Sequence, residues 1–341
     1  MPDLLLELFS EEIPARMQAR AAENLARLTT EALAALAPAA VQTFYGPRRI
    51  ALAARVAAEI PAARSIERGP RTSAPEQALA GFLRRHDATP AMLVQEAGYW
   101  VLQKTAPAQT ASDLIAAAMP GLLRRFPWPK SMRWGGTGSL FTWVRPLRRV
   151  LCLIDGQTVP FSLRDGADDG HGLQAANLTE GHRFFDPAPF AVTSLDGWRA
   201  GLRARRVVVD AGERRQIIAA GLAGLAAAHG AQVVDDPGLL DEVAGLVEWP
   251  VPLLGHIDAA YMDLPAEVMQ VSMRINQRYF ALRTADGAAA PLFGFAANIE
   301  AADGGATLIA GNERVLRARF SDARHFWDGD RRTRLADRVA A

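Results

Sequence analysis

The run LLLELFSE, residues 4–11, narrows the possible folds more than any other stretch of the chain. It is an apolar strand with one glutamate in its middle, and Pro14 follows where a helix can open without needing the missing N–H. Met17, Ala21, Leu25, Leu28, Ala32 and Leu36 then recur at steps of three and four, one apolar helical stripe that stops at Pro38. Two strand-like runs, VQTFY and RIALAARVA, come next, split by Gly46-Pro47. This βαββ order predicts an antiparallel or mixed sheet with a helix packed on it, and so an α+β fold of mixed sheets with packed helices.

The 341 residues exceed the size of one ordinary core, so more than one lobe is expected. Half are hydrophobic and 22% charged, a composition that excludes a disordered chain. No apolar run reaches the roughly 20 residues that cross a bilayer, and no basic leader precedes an apolar core, so a soluble cytoplasmic protein without membrane contact is expected. The single cysteine, Cys152, lies in VLCLI and reads as a small buried hydrophobe. The net charge is +1, yet Lys104 and Lys130 are the sole lysines, so arginine clusters count for less here than usual.

Along the chain, residues 61–75, PAARSIERGPRTSAP, read as a basic connector or exposed loop. Ser73 with Glu76 resembles a capping box for a helix to about His86. Residues 99–105 predict a strand, 111–125 a helix and RRVLCLI another strand. Residues 206–234 predict strand RVVVD, a helix capped by Asp210 with Glu213, a stop at Gly230 and strand QVV. QRYFALRTADGAAAPLFGFAAN reads as a hairpin turning near Asp286-Gly287. After Asn312 the chain is helical in tendency, with Leu316, Phe320, Ala323 and Trp327 able to share a face.

Spacing alone names no active site. No GxxxxGK[ST] loop exists, no GxSxG elbow, and the six histidines lack metal-ligand spacing, so no metal site is predicted. The most suggestive segment is KSMRWGGTGSLFTWVRPLRR, residues 130–149. There Lys130 and Arg133 suit phosphates, while Trp134 suits either a base or the protein core. His182, in GHRF beside Arg183, reads first as a satisfied structural histidine.

Taken together, LLLELFSEEIP, KSMRWG with RPLR, TEGHRFF, VEWPVPLLGHID, LPAEVMQVSM, QRYFAL and GNERVLRARFSDARHFWDGD resemble, in order, the beta subunit of the bacterial heterotetrameric glycyl-tRNA synthetase. Asn276 stands where the family carries histidine, Phe320 where leucine is expected, and Ala288 to Ala290 loosen the hairpin. The resemblance implies an N-terminal portion of that subunit, with a region similar to the B3/B4 region of phenylalanyl-tRNA synthetase. HD-like and anticodon-binding parts would be absent. It divides the chain into a βαββ unit over 1–60, a connector, helical section and KSMRWG segment over 61–150, a B3/B4-like lobe over 151–310 and a helical lead over 311–341.

The resemblance further implies a ligase subunit that supports ATP-dependent charging of tRNA-Gly through tRNA binding and architecture, in an alpha2beta2 heterotetramer. The alpha subunit would bind ATP and Mg²⁺ and activate glycine; this chain would carry no cofactor and no catalytic residue. Candidate tRNA contacts are Lys130, Arg133, Trp134, Arg145 and Arg183, with a second set in Arg274, Gln277, Arg314, Arg317 and Arg319. Two alternatives remain at this level: a purely structural assembly module, and an editing hydrolase in which His182 or Asn276 positions water.

Overall fold

A computed structural model describes residues 1–136, 138–332 and 337. Strand β1 (Asp3–Ser10) leads into helix α1 (Ala15–Ala32), whose N-cap is Pro14, and the stripe ends in a short turn through Leu36. Strands β2 (Ala39–Gly46) and β3 (Arg49–Arg55) form a hairpin about Pro47-Arg48, and β3 pairs antiparallel with β1. The βαββ reading is therefore realised.

The next section departs from the sequence reading. After β4 (Glu59–Ile60), the stretch expected as a connector is strand β5 (Ala63–Arg71). Helix α2 (Glu76–Arg85) follows, but its N-cap is Pro75 with no side-chain cap, so the Ser73 capping box does not form. A residue preceding proline is steered out of the helical region, and the chain at 72–74 instead turns, Ala74 N–H donating to Arg71 O, so the helix starts too late for Ser73. Strands β6 (Leu93–Glu96) and β7 (Tyr99–Ala106) complete a three-stranded sheet in the order β5-β7-β6. The β5 residues are polar and mostly exposed, so the segment has strand pairing without the apolar alternation that announces a strand.

Strand β8 (Gln109–Thr110) pairs with β4, and helix α3 (Ala111–Arg124) is capped by Thr110, which accepts from the Asp113 N–H. Strand β9 (Leu147–Ile154) returns to β1, and β10 (Gln157–Thr158) and β11 (Ala175–Ala176) both join β9 in the first sheet. β1 runs in the middle of that six-stranded sheet, in the order β10-β9-β1-β3-β2. Its two faces bury different cores. Leu4, Leu6 and Leu8 pack with α1 and α3, while Leu5 faces Trp198 and Leu202 of helix α4 (Leu195–Ala204), reached through β12 (Leu178–Glu180) and β13 (Pro189–Ala191). Coverage on both faces explains a strand that is continuously apolar rather than alternating. Cys152 is fully buried there, and burial pushes its thiol up to about 12.

Residues 207–210 are not the strand their valines suggested. Arg206 takes a left-handed φ of 58°, Val207 N–H donates to Leu202 O, and Val208 N–H donates to Glu248 O. These single bonds tie buried valines to two different segments and build no ladder. Helix α5 (Ala211–Ala228) starts at the Asp210 cap and stops before Gly230, whose φ is 65°. Strand β14 (Ala231–Val233), helix α6 (Pro237–Ala244), β15 (Val251–His256), helix α7 (Ala266–Val271), β16 (Phe280–Thr284) and β17 (Ala289–Ala297) follow. The second sheet runs β14-β16-β17-β15, and the β16–β17 hairpin turns through Gly287 as expected. α5 covers one side with Ile218 and Leu222; helix α8 (Ala306–Arg332) covers the other with Leu316 and Phe320. The architecture is α+β with several sheets. Among the described residues, no helix is long and apolar enough to cross a membrane.

Candidate functional site

Glu7 is the one charge inside the first strand. Register places it on the α4 side, opposite Ala51 and Leu151, among the apolar side chains that pack on α4. Arg49 shares that face, and both side chains are essentially inaccessible. Arg49 Nη1 donates to Glu7 Oε1 at 2.8 Å and to Thr179 Oγ1 at 3.3 Å; Nη2 donates to Glu180 O at 3.0 Å and to Glu248 Oε1 at 3.1 Å. The other Glu7 oxygen accepts from Trp198 Nε1 at 2.9 Å. Burial opposes the arginine's charge, but Glu7 and Glu248 outweigh it, so its pKa is raised. One guanidinium thus joins the first strand, the TEG motif, α4 and the EWP motif.

A second buried arginine works differently. Arg214 of α5 donates only to backbone carbonyls, those of Ala244, Val208, Val209 and Tyr45. Burial, partly offset by the more distant Glu248, lowers its pKa to about 10. It ties α5 and the end of α6 to β2 of the first sheet. Sequence reasoning named neither arginine. The available signal was a lone Glu in an apolar strand and an Arg opening another, which together call for a buried partner.

Above this hub lies the GHRFF loop. Gly181 is required there, because an added Cβ would stand 2.5 Å from Asp186 O and from Arg205 Cβ. His182 is fully buried, and its Nδ1 accepts the Phe184 N–H at 3.3 Å, which braces the loop. Arg183 bridges Glu11 and Glu12, while Phe184 is 72% exposed and Phe185 39% exposed. Glu11 also accepts from Arg148 at 3.0 Å, and its N–H donates to Pro146 O. The RPLRR segment and GHRFF loop therefore meet at Glu11, giving one surface with Arg145, Arg148 and Arg183.

Residues 130–136 and 138–146 form a braced loop that leads into β9. Met132 and Trp143 exchange backbone hydrogen bonds, and Trp143 is wholly buried among Phe126, Trp128 and Phe141. Trp134 is half-buried and stacks on His171, centroids 4.1 Å apart and 18° between planes, with Phe141 at its edge. Gly135 turns the chain at φ 71°, and a Cβ on Gly138 would stand 2.9 Å from Asp169 Oδ2. The opposing loop is anchored by Asp168, which accepts from Arg124, the Gly170 N–H and Ser139; these bonds, Arg124 foremost, hold its carboxyl well below the usual range. Lys130 and Arg133 stand exposed on this frame with no carboxylate partner among the described residues.

The other predicted residues lie elsewhere. Arg274 pairs with Asp236, and Asn276 and Gln277 end a widened helical turn, Ser272–Gln277, after α7. Arg314, Arg317 and Arg319 are exposed on α8, with Arg317 3.7 Å from Asp258. Met273 of that turn shares a core with Leu316, so this second group forms its own neighbourhood. Among the described residues, no three His, Cys, Asp or Glu side chains cluster as metal ligands.

The glycyl-tRNA synthetase beta subunit family model matches residues 4–341. The chain belongs to this family. It is 52% identical over 347 aligned residues to the glycine–tRNA ligase beta subunit of Phenylobacterium zucineum, covering 99% of this chain and 50% of that protein. Identity is 46% to the beta subunits of Rhodospirillum centenum and Paracoccus denitrificans, with 100% and 97% of this chain covered against 51% and 49% of theirs. The chain spans about half the length of these relatives. Two motifs of the chain, TEGHRFF and VEWP, are those that the buried Arg49 draws together.

Proposed function

We propose that this chain supplies tRNA binding and architecture to a glycine–tRNA ligase, supporting the charging of tRNA-Gly, while an alpha subunit activates glycine with ATP and Mg²⁺. The observation that carries this reading is the pair Lys130 and Arg133, exposed and uncompensated on a loop braced by the Trp134–His171 stack. Cations carried on a braced loop meet phosphates at a smaller ordering cost than cations on a free segment, and position an RNA without reading its sequence. The contribution to aminoacylation is proximity: the acceptor end is held where the adenylate forms. Arg145 and Arg183 extend the same role on the Glu11 surface, and Trp134 acts by holding the loop. Residues 151–310 take the part of the B3/B4-like lobe in an alpha2beta2 cytoplasmic assembly.

The test is tRNA-Gly affinity of the alpha–beta complex with full-length beta carrying Lys130→Ala and Arg133→Ala. A roughly tenfold or greater loss at unchanged assembly is expected. Unchanged affinity with weakened assembly would make the segment purely architectural.

A further inference from the structure

The β5-β7-β6 sheet has one covered and one open face. In its register Arg68 lies opposite Val101, Arg71 opposite Tyr99, Ile66 opposite Gln103 and Val94 opposite Val101, so these side chains share a face. α2 takes the other face, where Phe82 lies against Gly69 and Lys104 donates to His86 O. On the open face Arg64, Arg68 and Arg71 are exposed, Ile66 is 67% exposed and Val94 48% exposed. Tyr99 organises the cations: the Arg68 guanidinium carbon sits 3.5 Å from its ring centroid, and Arg71 Nε donates to its hydroxyl at 3.2 Å.

None of the three arginines has a carboxylate partner among the described residues; the acid in register with Tyr99 is Glu96. Exposed arginines elsewhere are either ion-paired, as Arg183, Arg203 and Arg215 are, or unpaired, as Arg133 is; here two of the three are gathered on one ring. A chain biased toward arginine accounts for their number and leaves this gathering unexplained. Guanidiniums held by a ring keep their full charge, and no internal ion pair must break before they meet an anion. Arg64 and Arg68 are four strand residues apart, about 13 Å, so the row spans more than one phosphate.

We propose that this open sheet face docks on the phosphate backbone of the RNA substrate, apart from the Lys130 loop. The proposal rests on the tRNA-binding reading above. Tyr99 is already occupied by Arg68, so the face meets phosphates through its arginines and does not offer the ring to a base.

The experiment uses the alpha–beta complex with full-length beta and tRNA-Gly as probe, with affinity measured across a salt series. Each phosphate contact contributes about 0.7 to 0.9 to the slope of log affinity against log salt. The variant R64A/R68A/R71A is expected to flatten that slope by about 2 to 3 and to weaken binding by about 10- to 100-fold at moderate salt. R64E, at a side chain with no bonding partner, is expected to weaken binding several-fold with assembly and melting temperature unchanged. Affinity that falls in the Lys130/Arg133 variant but not in these two overturns the face and leaves the tRNA-binding reading standing. Wild-type complex that shows no salt-dependent binding removes both. Loss of alpha-subunit association at intact tRNA affinity would make this a protein-docking face and overturn the proposal.

Discussion

Replacing Arg49 by methionine removes the one cation that Glu7 and Glu248 share. Both carboxylates would be left at 4% side-chain exposure or less, Glu7 with Trp198 as its donor and Glu248 with only the more distant Arg48 and Arg214 as cations. Breaking a buried ion pair from one side costs about 3–5 kcal/mol, because an uncompensated charge stays behind. Two are left here, so the upper end applies, a large share of the roughly 5–15 kcal/mol that a typical domain has. With a urea dependence of about 2 kcal/mol per molar, the midpoint should fall by about 2 M. The deficit should also depend on pH. A carboxylate stranded in a dry site escapes by taking up a proton, so the variant should regain stability between pH 7.5 and 5 relative to wild type. The triple variant with Glu7→Gln and Glu248→Gln, which removes the stranded charges, should recover at least half of the loss. Urea unfolding followed by circular dichroism at the two pH values measures all of this. A loss for Arg49→Met below about 1 kcal/mol, or one identical at both pH values, would refute the account of Arg49 as the shared counter-ion.

Asp168→Asn should lower the melting temperature at pH 7, and this difference should shrink on acidification: the folded pKa is depressed, so the aspartate's stabilisation is complete above the ordinary value near 4 and fades below it. Melting curves at pH 7, 4 and 3 decide it. Cys152 should resist thiol reagents in the folded protein at pH 8 and react fully in denaturant, since burial raises its pKa to about 12; rapid labelling of the native protein would contradict that placement. Gly181→Ala should destabilise by about 1–3 kcal/mol through overpacking against Asp186 O and Arg205, and limited proteolysis should show the GHRFF loop opened; an unchanged melt would show that the loop yields freely. Leu6→Ala, in the wholly buried heart of the first sheet, should cost about 2–5 kcal/mol in the same unfolding assay.

Local chemistry determined a large part of this protein. The LLLELFSE strand, the α1 stripe, the Asp210 cap, the Gly230 stop and the turn at Gly287 each follow from neighbours a few residues away, and each stands in the structure. Residues 63–71 and 207–210 could not be read that way. The first becomes a strand through pairing with β7 despite a polar sequence, and the second loses its ladder because Leu202 and Glu248 take its hydrogen bonds. The family was legible in the order of seven motifs, whereas their mutual geometry was not. Glu7, Arg49, Thr179 and Glu248 are separated by up to 241 positions, and nothing local signals that one guanidinium serves the other three. The stack of Trp134 on His171, 37 positions away, is equally invisible to local pattern. Sequence alone set the elements and the kinship, because propensity, capping and apolar period act within a few residues. Which charges are buried together, and which are left facing solvent without a partner, is decided by the packing of distant segments, and only the tertiary structure contains it.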